Sequence, residues 1–223
     1  MRTVMVTMCL LSSAAYGAPN DAENPRVDPR YTDAIGAAAK GFAAWGRVDY
    51  RPNIAPNLCR APKPADYGAS SHLRMSAAAH APHGKKLYYL WASDKPAYLD
   101  SRRDVPVGFS IVKESFEAVA VDAAHPPADP HAPAAGEGWS AQPASITWMV
   151  TPQGEKLTTG TRKDLFVMTK VGDQPGSDAG WVYGTVTPDG TVTSAGRVAS
   201  CMGCHTSSAT HERLFGLPPA PKS

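Results

Sequence analysis

The sequence is poor in several features, and each shortage excludes a class of protein. Its 22 Lys and Arg nearly balance 20 Asp and Glu, so the formal net charge of +2 gives no basic surface for nucleic acid or an anionic membrane. No apolar run reaches the roughly 20 residues that a membrane-spanning helix needs. The chain has 223 residues and no visible internal repeat, which favours one domain.

Residues 1–17 have the pattern of an export leader. Arg2 precedes a short apolar core at 4–11, and small residues at 15–17 suit a signal peptidase. A buried N-terminal strand or helix is the alternative. We expect a signal peptide over 1–17, a lead-in and helix over 18–45, one domain over 46–215, a Pro-rich tail over 216–223, and export, for example to the periplasm. Cys9 would leave with the leader, and Cys59 would stay as a buried hydrophobe.

The remaining patterns predict an α+β fold, mainly an antiparallel β-sheet with an N-terminal helix and a short C-terminal helix. Asp28 and Pro29 form a helix start, and apolar residues follow at helical spacing: Tyr31, Ile35, Ala38, Phe42 and Trp45. A short helix is expected after Asp94. The expected strands lie at 48–51, 71–76, 86–91, 107–121, 145–150, 165–171, 181–187 and 191–193.

The run 107–121 is the most strand-like segment. Strand geometry puts Phe109, Ile111, Lys113 and Ser115 on one face, and Lys113 at a rim would extend its ammonium group to water. The Pro- and Ala-rich segment 122–143 then predicts a long loop. Its histidines, His125 and His131, are expected in solvent, although a loop of this length can also cover a site.

The stretch that carries chemistry is Cys201-Met202-Gly203-Cys204-His205. Two thiols at this spacing, followed directly by an imidazole, can form two thioether bonds to a haem while the histidine binds its iron. A zinc site built from Cys201, Cys204, His205 and His211 is an alternative. A thioredoxin-like pair is a weaker one, since it belongs in a βαβ unit.

The 18 residues after His205 contain no methionine, whereas small electron-carrier cytochromes take an axial methionine from downstream of the motif. A sixth iron ligand would have to come from Met75, Met149, Met168 or a histidine upstream. We therefore expect the sixth position to be open or weakly occupied.

A late haem motif behind an antiparallel sheet resembles the cytochromes P-460 and the β-sheet cytochromes c′ (c′-beta). The resemblance covers roughly residues 40–215 and rests on the haem motif and on four looser segments, 42–45, 107–114, 167–170 and 180–183. It implies one covalent haem c packed under the C-terminal helix, with thioethers at Cys201 and Cys204 and with His205 as proximal iron ligand. Lys113 would be the catalytic lysine bonded to the porphyrin edge in members that oxidise hydroxylamine. Other members lack this bond and bind nitric oxide.

The resemblance implies an exported monohaem cytochrome that binds or oxidises hydroxylamine, nitric oxide or a similar species, exchanges electrons with a redox partner protein and can form a homodimer. A non-catalytic periplasmic electron-transfer cytochrome and a structural zinc protein are the alternatives. Phe109 and Glu114 are candidates for the distal wall, and strand alternation allows only one of them to face the haem. The length of 122–143 and the region around Cys59 depart from the family pattern.

Overall fold

The computed structural model of the protein describes residues 26–48, 52–54, 85–100, 104–127, 130–131, 147–151, 153–206 and 211–214. Its helices are α1 (Pro29–Gly41), α2 (Lys95–Leu99) and α3 (Ala199–His205). Its strands are β1 (Gly46–Arg47), β2 (Asn53–Ile54), β3 (Lys86–Ala92), β4 (Ser110–Ala120), β5 (Trp148–Val150), β6 (Lys156–Lys170), β7 (Trp181–Val186) and β8 (Val192–Gly196). This composition confirms the α+β class.

Helix α1 begins where the sequence predicts. The Asp28 carboxylate accepts a hydrogen bond from the Arg30 backbone N–H, and Pro29 occupies the first turn, where a missing N–H costs nothing. The paired Arg30 guanidinium holds the pKa of Asp28 below its usual value. Tyr31, Ile35 and Ala38 are buried along one side, so the apolar spacing does mark the inward face.

The strands of the described ranges form one eight-stranded sheet, and each pairing between them is antiparallel. Its main path runs β1-β3-β4-β6-β7-β8, with β2 also on β3 and β5 also on β6. In the central register Lys113 lies between Leu90 and Phe166. The longest strands therefore fix the position of Lys113 in the middle of the sheet.

Side chains from the two faces of the sheet form separate cores. On the face that we call the α1 face, Val112, Phe116 and Val167 pack with Tyr31, Ile35 and Phe42 of the N-terminal helical segment. On the opposite face, the α3 face, the buried set includes Phe109, Ile111, Met168, Trp181 and Tyr183, and Cys201 and Met202 pack against it. Because side chains alternate along a strand, neighbouring residues of β4 serve different cores.

Several predicted elements differ in extent. Of the strand expected at 48–51, only Val48 is described, and it lies just after β1; residues 49–51 and the strand expected at 71–76 lie outside the described residues. Strand β6 begins nine residues before the predicted start, at Lys156. Within the described ranges, no helix combines the length and apolarity that a membrane crossing requires.

Two glycine substitutions test the packing of α1 on the sheet. A Cβ at Gly184 would lie 2.5 Å from Ile35 Cγ2 and 2.8 Å from the Ser194 carbonyl oxygen, so Gly184→Ala should lower the free energy of unfolding by about 1–3 kcal/mol. A Cβ at Gly36 meets only Val192, at 3.8 Å. Since alanine favours helix, Gly36→Ala should raise stability by up to about 1 kcal/mol. Urea unfolding of both variants gives the comparison, and equal stabilities would contradict this packing.

Candidate functional site

The residues of the Cys-x-x-Cys-His motif lie on α3, directly above the α3 face of the sheet. Cys201 is half-buried and contacts the core that contains Met168, Trp181 and Tyr183. Cys204 is on the same helix, one turn further along, and its side chain is outside the described set, as is that of His211. The sequence motif thus sits on a short helix held against a largely apolar sheet surface.

The His205 imidazole is held in one tautomer. Its Nδ1 lies 2.8 Å from the carbonyl oxygen of Arg213, and because a carbonyl only accepts hydrogen bonds, Nδ1 carries the proton. The lone pair of a neutral ring is then on Nε2, the arrangement found in metal-bound histidines. Burial lowers the pKa of His205, and the positive charge of Lys113 lowers it further. A neutral ring with this tautomer is suited to bind iron.

The aromatic ring of Tyr183 lies beside His205, with ring centroids 5.4 Å apart. The Tyr183 hydroxyl donates to Asp178 Oδ2 at 3.0 Å, and burial together with this carboxylate raises the pKa of Tyr183. Tyr183 is therefore a neutral phenol over the accessible pH range. It shields one side of the imidazole without adding charge.

The structure places Lys113 on the α3 face, as the alternation of β4 predicted. Its Nζ lies 4.6 Å from the ring centroid of Tyr88 and 5.4 Å from that of Phe166, distances at which an ammonium group is attracted by an aromatic face. Cys201 and His205 lie on α3, above this same face. The four sequence-predicted site residues that lie on this face or on the helix above it are Lys113, Cys201, Cys204 and His205.

Phe109 and Glu114 lie on opposite sides of the sheet, which decides between the two proposed distal residues. Phe109 is buried on the α3 face and packs edge to face on Trp181, with centroids 6.2 Å apart. Glu114 is 1% exposed and bonds to the Trp91 indole within the α1 face. Glu114 is therefore excluded from the side of the sheet where the motif lies.

Glu114 is the centre of a buried polar cluster on the α1 face. Its Oε2 lies 2.5 Å from His131 Nε2 and accepts from Trp91 Nε1 at 3.2 Å, while Arg162 Nε donates to Oε1 at 3.1 Å. The prediction that His131 lies in solvent is therefore wrong: its ring packs on Trp91 and contacts this carboxylate. His125 lies at the surface, as expected.

The residues that sequence reasoning missed surround His205. Asp178, Glu212 and Arg213 each form an ion pair near the imidazole or its hydrogen-bond partner. Their partners are far along the chain, so no local pattern marks them. Only their neutral partners had a sequence signal, because side-chain alternation along β7 puts Trp181 and Tyr183, which donate to Glu212 and Asp178, on one face.

The zinc alternative is not tested by the described side chains. Among them, no three His, Cys, Asp or Glu residues come together to hold a metal ion. The predicted zinc set includes Cys204 and His211, whose side chains fall outside the described set. What the described residues do provide is a neutral imidazole and a thiol-bearing helix above an apolar sheet face, which fits a haem.

Comparison with known proteins identifies the family. The family model described as Cytochrome P460 matches residues 64–216. Neither the curated proteins nor the solved structures give a match. The chain belongs to the cytochrome P460 family and is a haem-binding cytochrome. Helix α1, which precedes the matched residues, covers the sheet face opposite α3.

The separation of the two faces predicts the effect of changing Glu114. Glu114→Gln removes the charge that Arg162 pairs with. Because the Arg162 side chain is 39% exposed and can regain water, the free energy of unfolding should fall by about 1–3 kcal/mol. Haem absorption should stay as in the unaltered protein, because Glu114 points away from α3. Glu117→Gln is the matched control, since this exposed acid lies 3.8 Å from Lys163. A changed haem spectrum in Glu114→Gln alone would contradict the assignment of faces.

Proposed function

We propose that this haem-binding cytochrome is an exported monohaem c-type protein. It would bind or oxidise a small nitrogen species such as hydroxylamine or nitric oxide. Cys201 and Cys204 would carry the thioether bonds, His205 would bind the iron, and Lys113 would contact the porphyrin edge. The observation that carries the proposal is that α3 packs its motif on the same sheet face as Lys113. Export rests on the leader pattern at 1–17.

When bound, the haem supplies an iron that binds a small nitrogen ligand and takes up electrons from it. The chain's residues prepare the surroundings. His205 offers a neutral nitrogen in a fixed tautomer, and the proton on Nδ1 is held by the Arg213 carbonyl. Phe109, Met168 and Trp181 are buried together on the α3 face and would give the haem an apolar surface to pack on.

Lys113 is the residue whose role separates turnover from simple binding. Its ammonium group lies against the Tyr88 and Phe166 rings, so the side chain is oriented along the sheet face. A covalent bond from Lys113 to the porphyrin edge would favour an oxidase of hydroxylamine. Without the bond, the same site would bind nitric oxide and leave it unchanged.

A non-catalytic electron carrier is the second candidate, because Met168 lies on the α3 face and packs in the core that Cys201 contacts. Met149 is excluded from that face, since it packs with Ile54 and Leu157. Met75 lies outside the described residues. A six-coordinate, low-spin ferric spectrum would favour the carrier, and a high-spin spectrum favours an open site.

Removing the imidazole tests the proximal assignment. In His205→Ala, haem should still attach through the two thioethers, but the ferric and ferrous spectra should change, and added imidazole should restore much of the original spectrum. His125→Ala is the matched control, since this exposed histidine pairs only with Asp122 among the contacts described for it. Absorption spectra that are unchanged in His205→Ala would refute the assignment.

The role of Lys113 is tested by a substitution that keeps its charge. If its side-chain nitrogen is bonded to the porphyrin, Lys113→Arg should fold normally but shift the reduced absorption bands to shorter wavelength, and a haem peptide that includes β4 should disappear from a proteolytic digest. Lys86→Arg is the control, since Lys86 also lies over Phe166, at 5.5 Å. Spectra and digests that match in all three proteins would make Lys113 a structural residue.

A further inference from the structure

The hydrogen-bond partner of His205 belongs to a short turn that follows α3 in sequence. The turn spans His211–Arg213, and the Arg213 carbonyl oxygen is 2.8 Å from His205 Nδ1. A backbone carbonyl cannot be replaced by substitution, so the strength of this bond depends on where the turn is held. The groups that fix the turn therefore act on the imidazole indirectly, through the position of the Arg213 carbonyl.

The backbone of this turn is in an unfavourable conformation. Glu212 has φ 65° and Arg213 has φ 56°, the left-handed region that side chains other than glycine seldom adopt. A residue in this region is strained and persists only where the surrounding structure holds it. Two consecutive residues of this kind require specific anchors.

The first anchor is the carboxylate of Glu212. Its Oε2 accepts from Lys170 Nζ at 2.5 Å and from Trp181 Nε1 at 3.1 Å, and Oε1 accepts from the Val105 backbone N–H at 3.3 Å. Lys170 and Trp181 are paired across β6 and β7. Glu212 is thus tied to the sheet by three donors from separate parts of the chain.

The second anchor is the guanidinium of Arg213. Its Nη1 donates to Asp178 Oδ2 at 2.5 Å, and the same oxygen accepts from the Tyr183 hydroxyl. Asp178 is buried and lies in the β-bridge to Trp181. Both anchors therefore involve a residue of β7, Trp181 for Glu212 and Tyr183 for Asp178, and Tyr183 lies beside His205.

We propose that the Lys170–Glu212 and Asp178–Arg213 pairs are positioning pairs, which hold the Arg213 carbonyl on His205 Nδ1 and thereby set how strongly the imidazole donates electron density to the haem iron. The inference rests on the proposed role of His205. A firmer Nδ1–H···O bond makes the ring more basic, which strengthens the iron–nitrogen bond and stabilises ferric iron. The pairs would thus keep the reduction potential low without touching the haem ligand itself.

The test uses holo-protein variants at the far partners, Lys170→Met and Asp178→Asn. Both should retain haem, while the iron–histidine stretching band of the ferrous protein moves to lower frequency and the reduction potential rises. Lys163→Met is the matched control, because Lys163 makes an exposed pair with Glu117 and should leave both readouts unchanged. Asp178→Asn keeps the side-chain volume, so it carries the test if Lys170→Met does not fold.

A charge-keeping variant separates positioning from general destabilisation. Arg213→Lys should lie closer to the unaltered protein in band frequency and potential than Arg213→Met does. Haem-containing variants whose band and potential coincide with those of Lys163→Met would overturn the inference. If the unaltered protein has no iron–histidine band that His205→Ala removes, the assignment of His205 fails instead, and the positioning role falls with it.

Discussion

The structure depends on burying both faces of one antiparallel sheet. Each face needs its own cover, and the chain supplies α1 for one and the motif helix α3 for the other. Because strand residues alternate, a shift of one residue in β4 would exchange Lys113 and Glu114 between the two cores. The placement of a lysine on the α3 face is therefore inseparable from the placement of a buried carboxylate on the α1 face.

Three acids, two of them buried and the third largely so, share one pattern of partners. Glu114, Asp178 and Glu212 each accept from a cationic side chain and from a neutral aromatic donor, either an indole N–H or a phenol O–H. Buried ion pairs contribute little net stability compared with apolar packing, yet losing one partner costs about 3–5 kcal/mol. Such clusters hold a fixed geometry. Two of them lie beside His205, where the position of a carbonyl has chemical consequences.

The sequence predicted the elements whose signals are local. Helix α1 has its cap, proline and apolar spacing within a short stretch, α2 has its Asp94 cap, and the turn before β8 has a residue suited to each position. The side of the sheet on which Lys113 lies could also be predicted, because the alternation of side chains along β4 depends only on neighbouring residues.

Other features depend on contacts between distant segments. The first half of β6 is polar and contains Gly160, so nothing within it marks a strand, and it is ordered by pairing with β4 on one side and β5 on the other. Lys170 and Glu212 are 42 residues apart, a separation at which no spacing rule applies. The anchors of the imidazole therefore become visible only in three dimensions, whereas the haem motif itself is visible in sequence.

The sequence left open whether the loop 122–143 covers the distal side of the site, since it directly follows the strand that carries Lys113. His131, which the structure describes within that segment, lies on the α1 face instead. His131 packs on Trp91 and contacts Glu114, both on the α1 face, so the chain at this point has crossed to the side of the sheet away from α3. Glu114, which the sequence offered as a distal residue, instead contacts His131 of this segment. An open site above Lys113 is therefore compatible with a loop of this length, because His131 within it packs on the opposite face.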